Sequence, residues 1–283
     1  MQGKICVVTG ASRGVGKGIA LALGAQGATV YVTGRSLNFT DSELGGTLAA
    51  TAAESTARGG QGIAVKCDHG DDDSVRALFD RVASDHGQLD ILVNNAIALP
   101  ESLTSVAPFW LKPLDELSLL DVGLRSGYVA AWQAAPLLKQ SGGLLAFTSS
   151  FGGACYMHGP AYGAGKAGTD KMAHDMAHDF KPHGVTVVSL WLGLVTTERT
   201  NYVCAAEPEK YGAAFRVAES PEFPGRVIAA LYHDPERQSR SGSIQVVAEL
   251  AKHYGITDLD GRQPPSYRRA LGNPPEFSKA VVE

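Results

Sequence analysis

The chain lacks several things, and each lack closes a class of function. No apolar run approaches the roughly 20 residues that cross a bilayer, so no membrane partner is expected. Positive charge is not in surplus: 25 Lys and Arg stand against 29 Asp and Glu, a net charge of −4. Nucleic acid and anionic lipid are therefore left without an electrostatic footprint. Cysteine is scarce, and Cys6, Cys67, Cys155 and Cys204 form no C-x-x-C pair. Reduced thiols and a cytoplasmic location are the expectation. Met1-Gln2-Gly3-Lys4 enters a strand at once, so no secretory leader is expected. No composition break, repeat or low-complexity stretch divides the 283 residues. One domain over 1–283 is expected, long enough to bury a full core.

What is there is a rhythm. Short apolar runs at 4–8, 29–33, 63–66, 89–93, 144–148, 185–191 and 243–247 read as strands. Helical patterns at 14–26, 44–58, 72–86, 113–139, 161–181 and 225–233 lie between them. Alternation of this kind predicts an α/β fold: a doubly wound parallel sheet, Rossmann-like, in three layers. Residues 196–223 read as irregular and polar, with the position of a substrate lid. The Pro-rich end, 264–283, reads as an extended C-terminal surface tail.

Between the first strand and first helix lies Thr9-Gly10-Ala11-Ser12-Arg13-Gly14-Val15-Gly16. Glycines at such a turn let backbone N–H groups approach a pyrophosphate at a helix N-terminus. Gly10, Ser12, Arg13, Gly14, Val15 and Gly16 are candidate cofactor contacts. At the end of the second strand, Gly34-Arg35 stands where NAD-binding folds carry an acid for the ribose hydroxyls. Arginine suits a 2′-phosphate, so NADP(H) is preferred over NAD(H), which stays open. Asp68, ending the third strand, is placed to bond the adenine amino group. Asn94-Asn95-Ala96 ends the fourth, where a structural role competes with ligand contact.

Tyr162 and Lys166 are one helical turn apart, on one face. A phenol with pKa near 10 is a poor acid or base at neutral pH. A neighbouring ammonium and an oxidised nicotinamide both favour the phenolate, which brings the tyrosine toward proton exchange with a substrate oxygen. The spacing alone carries little weight. Its value comes from Ser149-Ser150 at the end of the strand just upstream, where a hydroxyl can hold the substrate oxygen. His174 and His178 are spaced for metal, but no third ligand is evident, so no metal is expected. Phe109, Trp110, Tyr128, Tyr156, Tyr202 and Phe215 are candidates for an apolar pocket, with half of them equally readable as core.

Thr9 to Gly16, Asn94-Asn95-Ala96, Ser149-Ser150, Tyr162 with Lys166, and Gly193-Leu194-Val195 followed by Thr197 together resemble the short-chain dehydrogenases/reductases, in that family's order and near its spacing. The likeness runs from about Gly3 to Val247, and residues 188–198 and 249–262 resemble the family's dehydrogenase/reductase member-one subgroup. The resemblance implies Tyr162 as general acid/base and Lys166 as its pKa modifier and a ribose ligand. It also implies a substrate-orienting serine, with Val195 and Thr197 beside the nicotinamide amide, and a homodimer or homotetramer built through the two long helices. The family's spacing selects Ser149, while its Ser-Ser-x-x-Gly pattern selects Ser150; both are carried. Three positions depart from the pattern: Ile97 replaces a glycine, Gly123 stands in the place of an asparagine that supports a water chain to the lysine, and Leu192 replaces a proline. The expected activity is hydride transfer between nicotinamide and a small-molecule carbonyl or secondary alcohol. The alternatives are a nucleotide-binding sensor with little catalysis and an NAD-dependent alcohol dehydrogenase.

Overall fold

The computed structural model describes residues 1–41 and 43–282. Ser42 and Glu283 lie outside the described residues, so the expected 1–283 domain and 264–283 tail are seen only as far as 282. In chain order, β1 (Ile5–Val8), α1 (Gly14–Gly24), β2 (Thr29–Gly34), α2 (Leu48–Ala57), β3 (Gln61–Lys66), α3 (Asp72–His86) and β4 (Ile91–Asn94) form the first half. The second half holds α4 (Ser126–Ser141), β5 (Leu144–Ser150), α5 (Pro160–Phe180), β6 (Thr186–Leu192), α6 (Glu198–Ala206), α7 (Pro208–Phe215), α8 (Phe223–His233), β7 (Ser243–Val246), α9 (Val247–His253) and α10 (Arg268–Leu271).

The seven strands form one sheet in the order β3-β2-β1-β4-β5-β6-β7, every pair parallel. This is the expected three-layer, doubly wound α/β fold. The inner strands β1, β4 and β6 are buried along nearly their whole length because both faces are covered, while the edge strands β3 and β7 stay partly exposed, and alternate residues of β1 feed opposite cores. From β1, Cys6 and Val8 join the layer packed with α1, α8 and α9, while Ile5 and Val7 join the layer packed with α3, α4 and α5. The strand order reverses between β1 and β4, which opens a crevice at their carboxyl ends.

The helix boundaries show where local chemistry acted. Asp71 caps α3 by accepting from the amides of Asp73 and Ser74, and left-handed Gly87 ends it. α2 begins at Leu48 rather than 44, because Gly45 and Gly46 take positive φ and the Thr47 hydroxyl caps the first turn. The helix expected from 113 begins only at Ser126. Short single turns and a wide turn precede it, and Val122 (φ −109, ψ 93) and Gly123 (φ 152, ψ −63) break the helical path there. Residues 196–223 are not irregular: α6 and α7 stand on a stem that joins Val195 to Glu219. Of the pocket aromatics, Phe109, Trp110, Tyr128, Tyr156 and Tyr202 are all exposed, and none joins the core. The C-terminal segment lies against the body, with Tyr267 and Leu271 packed on Phe151, Trp191 and Val246, and Phe277 against His174.

α1 and α8 meet almost backbone to backbone. A Cβ at Gly18 would stand 2.0 Å from the Pro221 carbonyl oxygen, and one at Gly225 2.7 Å from Ala22 Cβ. Gly18→Ala is therefore expected to cost ~1–3 kcal/mol by overpacking, read as a lower urea midpoint; an unchanged midpoint contradicts this contact. At the stem, the Glu219 backbone accepts from Thr196 N (2.9 Å) and donates to Leu194 O (2.7 Å), and its carboxylate accepts from Gly193 N (3.0 Å). Burial raises that carboxyl from its ordinary 4.5 to about 8. Between those pH values the native state holds a proton that the unfolded chain has released, so stability falls as pH rises through the window. Glu219→Gln is expected to flatten this slope in melting curves taken from pH 5 to 8.5; an identical slope overturns it.

Candidate active site

The glycine turn is built by close approach. Gly10 (φ +65) and Gly14 (φ +57) take left-handed backbone. At Gly16 a Cβ would lie 2.3 Å from the Gly10 carbonyl oxygen, so the turn and α1 fit together only without a side chain. The Asn95 amide donates to the carbonyls of Thr9 (2.9 Å) and Gly10 (3.2 Å), and the Thr9 hydroxyl accepts from the amides of Asn95 (2.8 Å) and Ala96 (2.9 Å). Asn95 and Ala96 thereby lock the turn to the end of β4. Asn94 donates to Gly127 O (3.0 Å), tying β4 to α4. Ser12 is buried, and Val15 packs on the core below.

The first amide of α1 holds an oxyanion: Gly14 N–H donates to a Glu198 carboxylate oxygen at 2.9 Å. That carboxylate comes from the start of α6, brought over the turn by Thr197, whose methyl would lie 3.5 Å from a Cβ on Gly14. Thr197 also caps α6 in a reciprocal pair with Thr200. Val195 is buried beside the Glu219 stem. Hence residue 197 stands over the glycine turn, and residue 195 lies at the base of the stem.

Beside the glycine turn and the end of β2 the charge is positive. Arg13 donates to Gly45 O (2.8 Å), and Arg35, exposed, lies near enough for each guanidinium to feel the other. Gly34 has φ +155, so an acidic side chain at that position is disfavoured by the backbone. Asp68 accepts from Gly70 N (3.0 Å). Behind it, His69 is buried against the Thr33 hydroxyl (3.0 Å), and burial drops its pKa to about 4, so it is neutral.

The candidate catalytic side chains meet at the end of β5. The Ser150 hydroxyl lies 2.9 Å from the Tyr162 hydroxyl. Ser149 turns the other way, 3.4 Å from the Lys166 carbonyl and facing Asp170. Lys166 lies 5.7 Å from the centre of the Tyr162 ring and donates to Thr148 O at 3.1 Å. Burial lowers the Lys166 pKa to about 8 and raises that of Tyr162, with the Ser150 hydrogen bond opposing the latter. Two of the three departures meet in space. The Ile97 side chain lies 3.4 Å from where a Gly123 Cβ would be, so the isoleucine fills room that a side chain at 123 would need. A small cavity remains there, lined by Ile97, Gly123, Tyr162 and Lys166 among others.

Several neighbours escaped the sequence reading. His158, a non-glycine residue at φ +60, sets its ring edge-on to Tyr162 at 5.1 Å. Lys112 holds its carbonyl (2.9 Å) and pairs with Glu116 (3.0 Å), both almost fully buried. Glu198 and Asp170 are the others. In the sequence, only the placement of Asp170 four residues after Lys166 gave any signal.

The comparisons agree with this geometry. The family described as short chain dehydrogenase matches residues 4–208. Dehydrogenase/reductase SDR family member 1 of Mus musculus is 42% identical over 281 residues, covering 94% of this chain and 87% of that protein. The 3-oxoacyl-[acyl-carrier-protein] reductase of Synechocystis is 31% identical, covering 82% and 93%. A crystal structure from Xanthomonas campestris superposes with a TM-score of 0.75 at 28% identity, covering 99% of this chain and 98% of its own. Given the parallel sheet, the locked glycine turn and the Ser150–Tyr162–Lys166 cluster at its crevice, the chain belongs to the short-chain dehydrogenase/reductase family, whose members bind a nicotinamide dinucleotide, and is similar to family member 1.

Proposed function

We propose that the protein is an NADP(H)-dependent oxidoreductase that interconverts a small-molecule carbonyl and a secondary alcohol. The observation that carries this reading is the 2.9 Å contact between the Ser150 and Tyr162 hydroxyls, with the Lys166 ammonium behind the ring. Two hydroxyls at that separation can both reach one substrate oxygen. Ser150 would orient it, and Tyr162 would deliver or accept its proton. Lys166, held by Thr148 O, would stabilise the phenolate left behind. The names of two relatives fit this class: a 3beta-hydroxysteroid dehydrogenase and a 3-oxoacyl-[acyl-carrier-protein] reductase.

The residues fit the dinucleotide. The Glu198 carboxylate on Gly14 N–H sits where a pyrophosphate oxygen would be held, which supports this helix end as the anion cradle. Gly10, Ser12, Gly14, Val15 and Gly16 would line that cradle, Asp68 and Asn95 the adenine and ribose side, and Val195, Thr197 and Ala96 the nicotinamide side. Arg13 and Arg35, mutually repelling, would be relieved by a 2′-phosphate. When bound, the cofactor supplies or takes the hydride at the substrate carbon. Helices α6 and α7 would then act as a lid: Glu198 must leave Gly14 for the pyrophosphate to enter.

Tyr162→Phe is expected to lower NADPH-linked turnover on a panel of aldehydes and ketones by about 10²–10⁴-fold. Unchanged turnover refutes the reading, and tight NADPH binding without turnover in wild type favours a sensor. Arg35→Ala is expected to weaken NADPH binding about 10- to 100-fold, the loss of a charge-assisted hydrogen bond, while sparing NADH. Equal losses in fluorescence titrations of the two cofactors remove the phosphate role.

A further inference from the structure

A carboxylate lies one helical turn beyond Lys166 that the catalytic scheme does not use. Asp170 is 1% exposed. One of its oxygens accepts from the Ser189 hydroxyl at 2.6 Å and the Trp191 indole at 3.1 Å, and the other lies 3.0 Å from the same indole. The loop after β5 seals it: a Cβ on Gly153 would stand 2.5 Å from its second oxygen. Ser149 faces it from β5. A buried carboxylate is costly unless its oxygens are satisfied and a cation is near. These donors are neutral; the positive charge within reach is Lys166, one turn back on the same face of α5, beyond ion-pair distance and hydrogen-bonded to Thr148 O.

We propose that the Asp170 carboxylate, clamped by Ser189 and Trp191 behind Lys166, is the buried counter-ion that sets the charge of that lysine and, through it, the range in which Tyr162 exchanges its proton. Asp170 touches neither substrate nor cofactor, so it is a positioning residue. The second half of the inference rests on the oxidoreductase reading; the first does not. The field of Asp170 opposes the burial that lowers Lys166, and the field of Lys166 in turn opposes the burial that raises Asp170. β5 and β6 present neutral groups to the pair: the Thr148 carbonyl, the Ser149 and Ser189 hydroxyls and the Trp191 indole. On α5 the other titratable neighbours are Tyr162 and, a turn further on, His174, which donates to Gly242 O. Across the crevice, Cys155 acts on Tyr162 and His158 abuts its ring, with Lys112 and Glu116 behind. None of these replaces an anion beneath Lys166.

Removing the negative charge favours neutral lysine, so its midpoint falls; Tyr162, facing less positive charge, then ionises at higher pH. Full-length protein carrying ¹³Cε-labelled lysine, free of cofactor and substrate, is titrated by NMR, with the Lys166 signal assigned by its loss in Lys166→Arg. Asp170→Asn, which keeps shape, is expected to lower the Lys166 midpoint by about one pH unit. It is also expected to move the acidic limb of alcohol oxidation upward. Trp191→Phe, which leaves the carboxylate but removes a donor, is expected to shift the midpoint in the same direction by less, and it decides the matter if Asp170→Asn does not fold. An unmoved midpoint overturns the proposal, even where turnover drops. The lysine titration reads Asp170 whether or not Tyr162→Phe abolishes reduction, so the failure of one reading is separable from the failure of the other.

Discussion

A buried ammonium is the constraint around which the site is arranged. Lys166 gives up hydration to stand behind Tyr162, and burial pulls its pKa down to about 8. One hydrogen bond to Thr148 O holds its position. A charged lysine is useful to a phenol only if it stays charged, and a phenol is useful only if its hydroxyl faces the crevice beside a second donor. The β5 end meets both needs at once, because successive strand residues point to opposite faces. Ser150 turns toward the tyrosine, while Ser149 turns toward α5 and its carboxylate. Two adjacent serines thus occupy different chemical settings with no difference in residue type.

The glycine turn is shaped by close backbone approach and locked by two side chains. Gly10, Gly14 and Gly16 bring a helix N-terminus to the mouth of the crevice, and Thr9 and Asn95 fix it there through five hydrogen bonds between the ends of β1 and β4. The same amide end that suits a pyrophosphate holds the Glu198 carboxylate here. That contact couples the helices over residues 198–215 to the nucleotide cradle, and the Glu219 stem anchors their other end. Positive charge at the end of β2 completes the picture, since the Gly34 backbone disfavours an acid there.

Much of this was legible in the residues. Alternating apolar runs and helical periods specify a parallel sheet, and the amphipathic pattern over 72–86 matched α3 at both ends. The glycine turn and Tyr162 with Lys166 were visible because close backbone approach and one-turn spacing leave marks in local sequence. Where local signals were weak, the reading drifted. The start of α4 moved by thirteen residues because the pattern from 113 read as mostly helical, whereas the non-helical angles at Val122 and Gly123 interrupt it before Ser126. The pattern at 196–223 looked irregular because short capped helices with little apolar periodicity resemble loops.

By itself, then, the sequence determined the order and type of the main elements, the turn that suits a pyrophosphate, and the presence of a phenol and an ammonium on one helical face. These follow from spacing along a single segment. Which serine meets the tyrosine, which donors clamp the carboxylate one turn past the lysine, and which carboxylate covers the glycine turn were decided by tertiary structure alone. Each joins residues 12 to 184 positions apart, and a strand's pleat or a helix's placement over the sheet, not any local pattern, sets who faces whom.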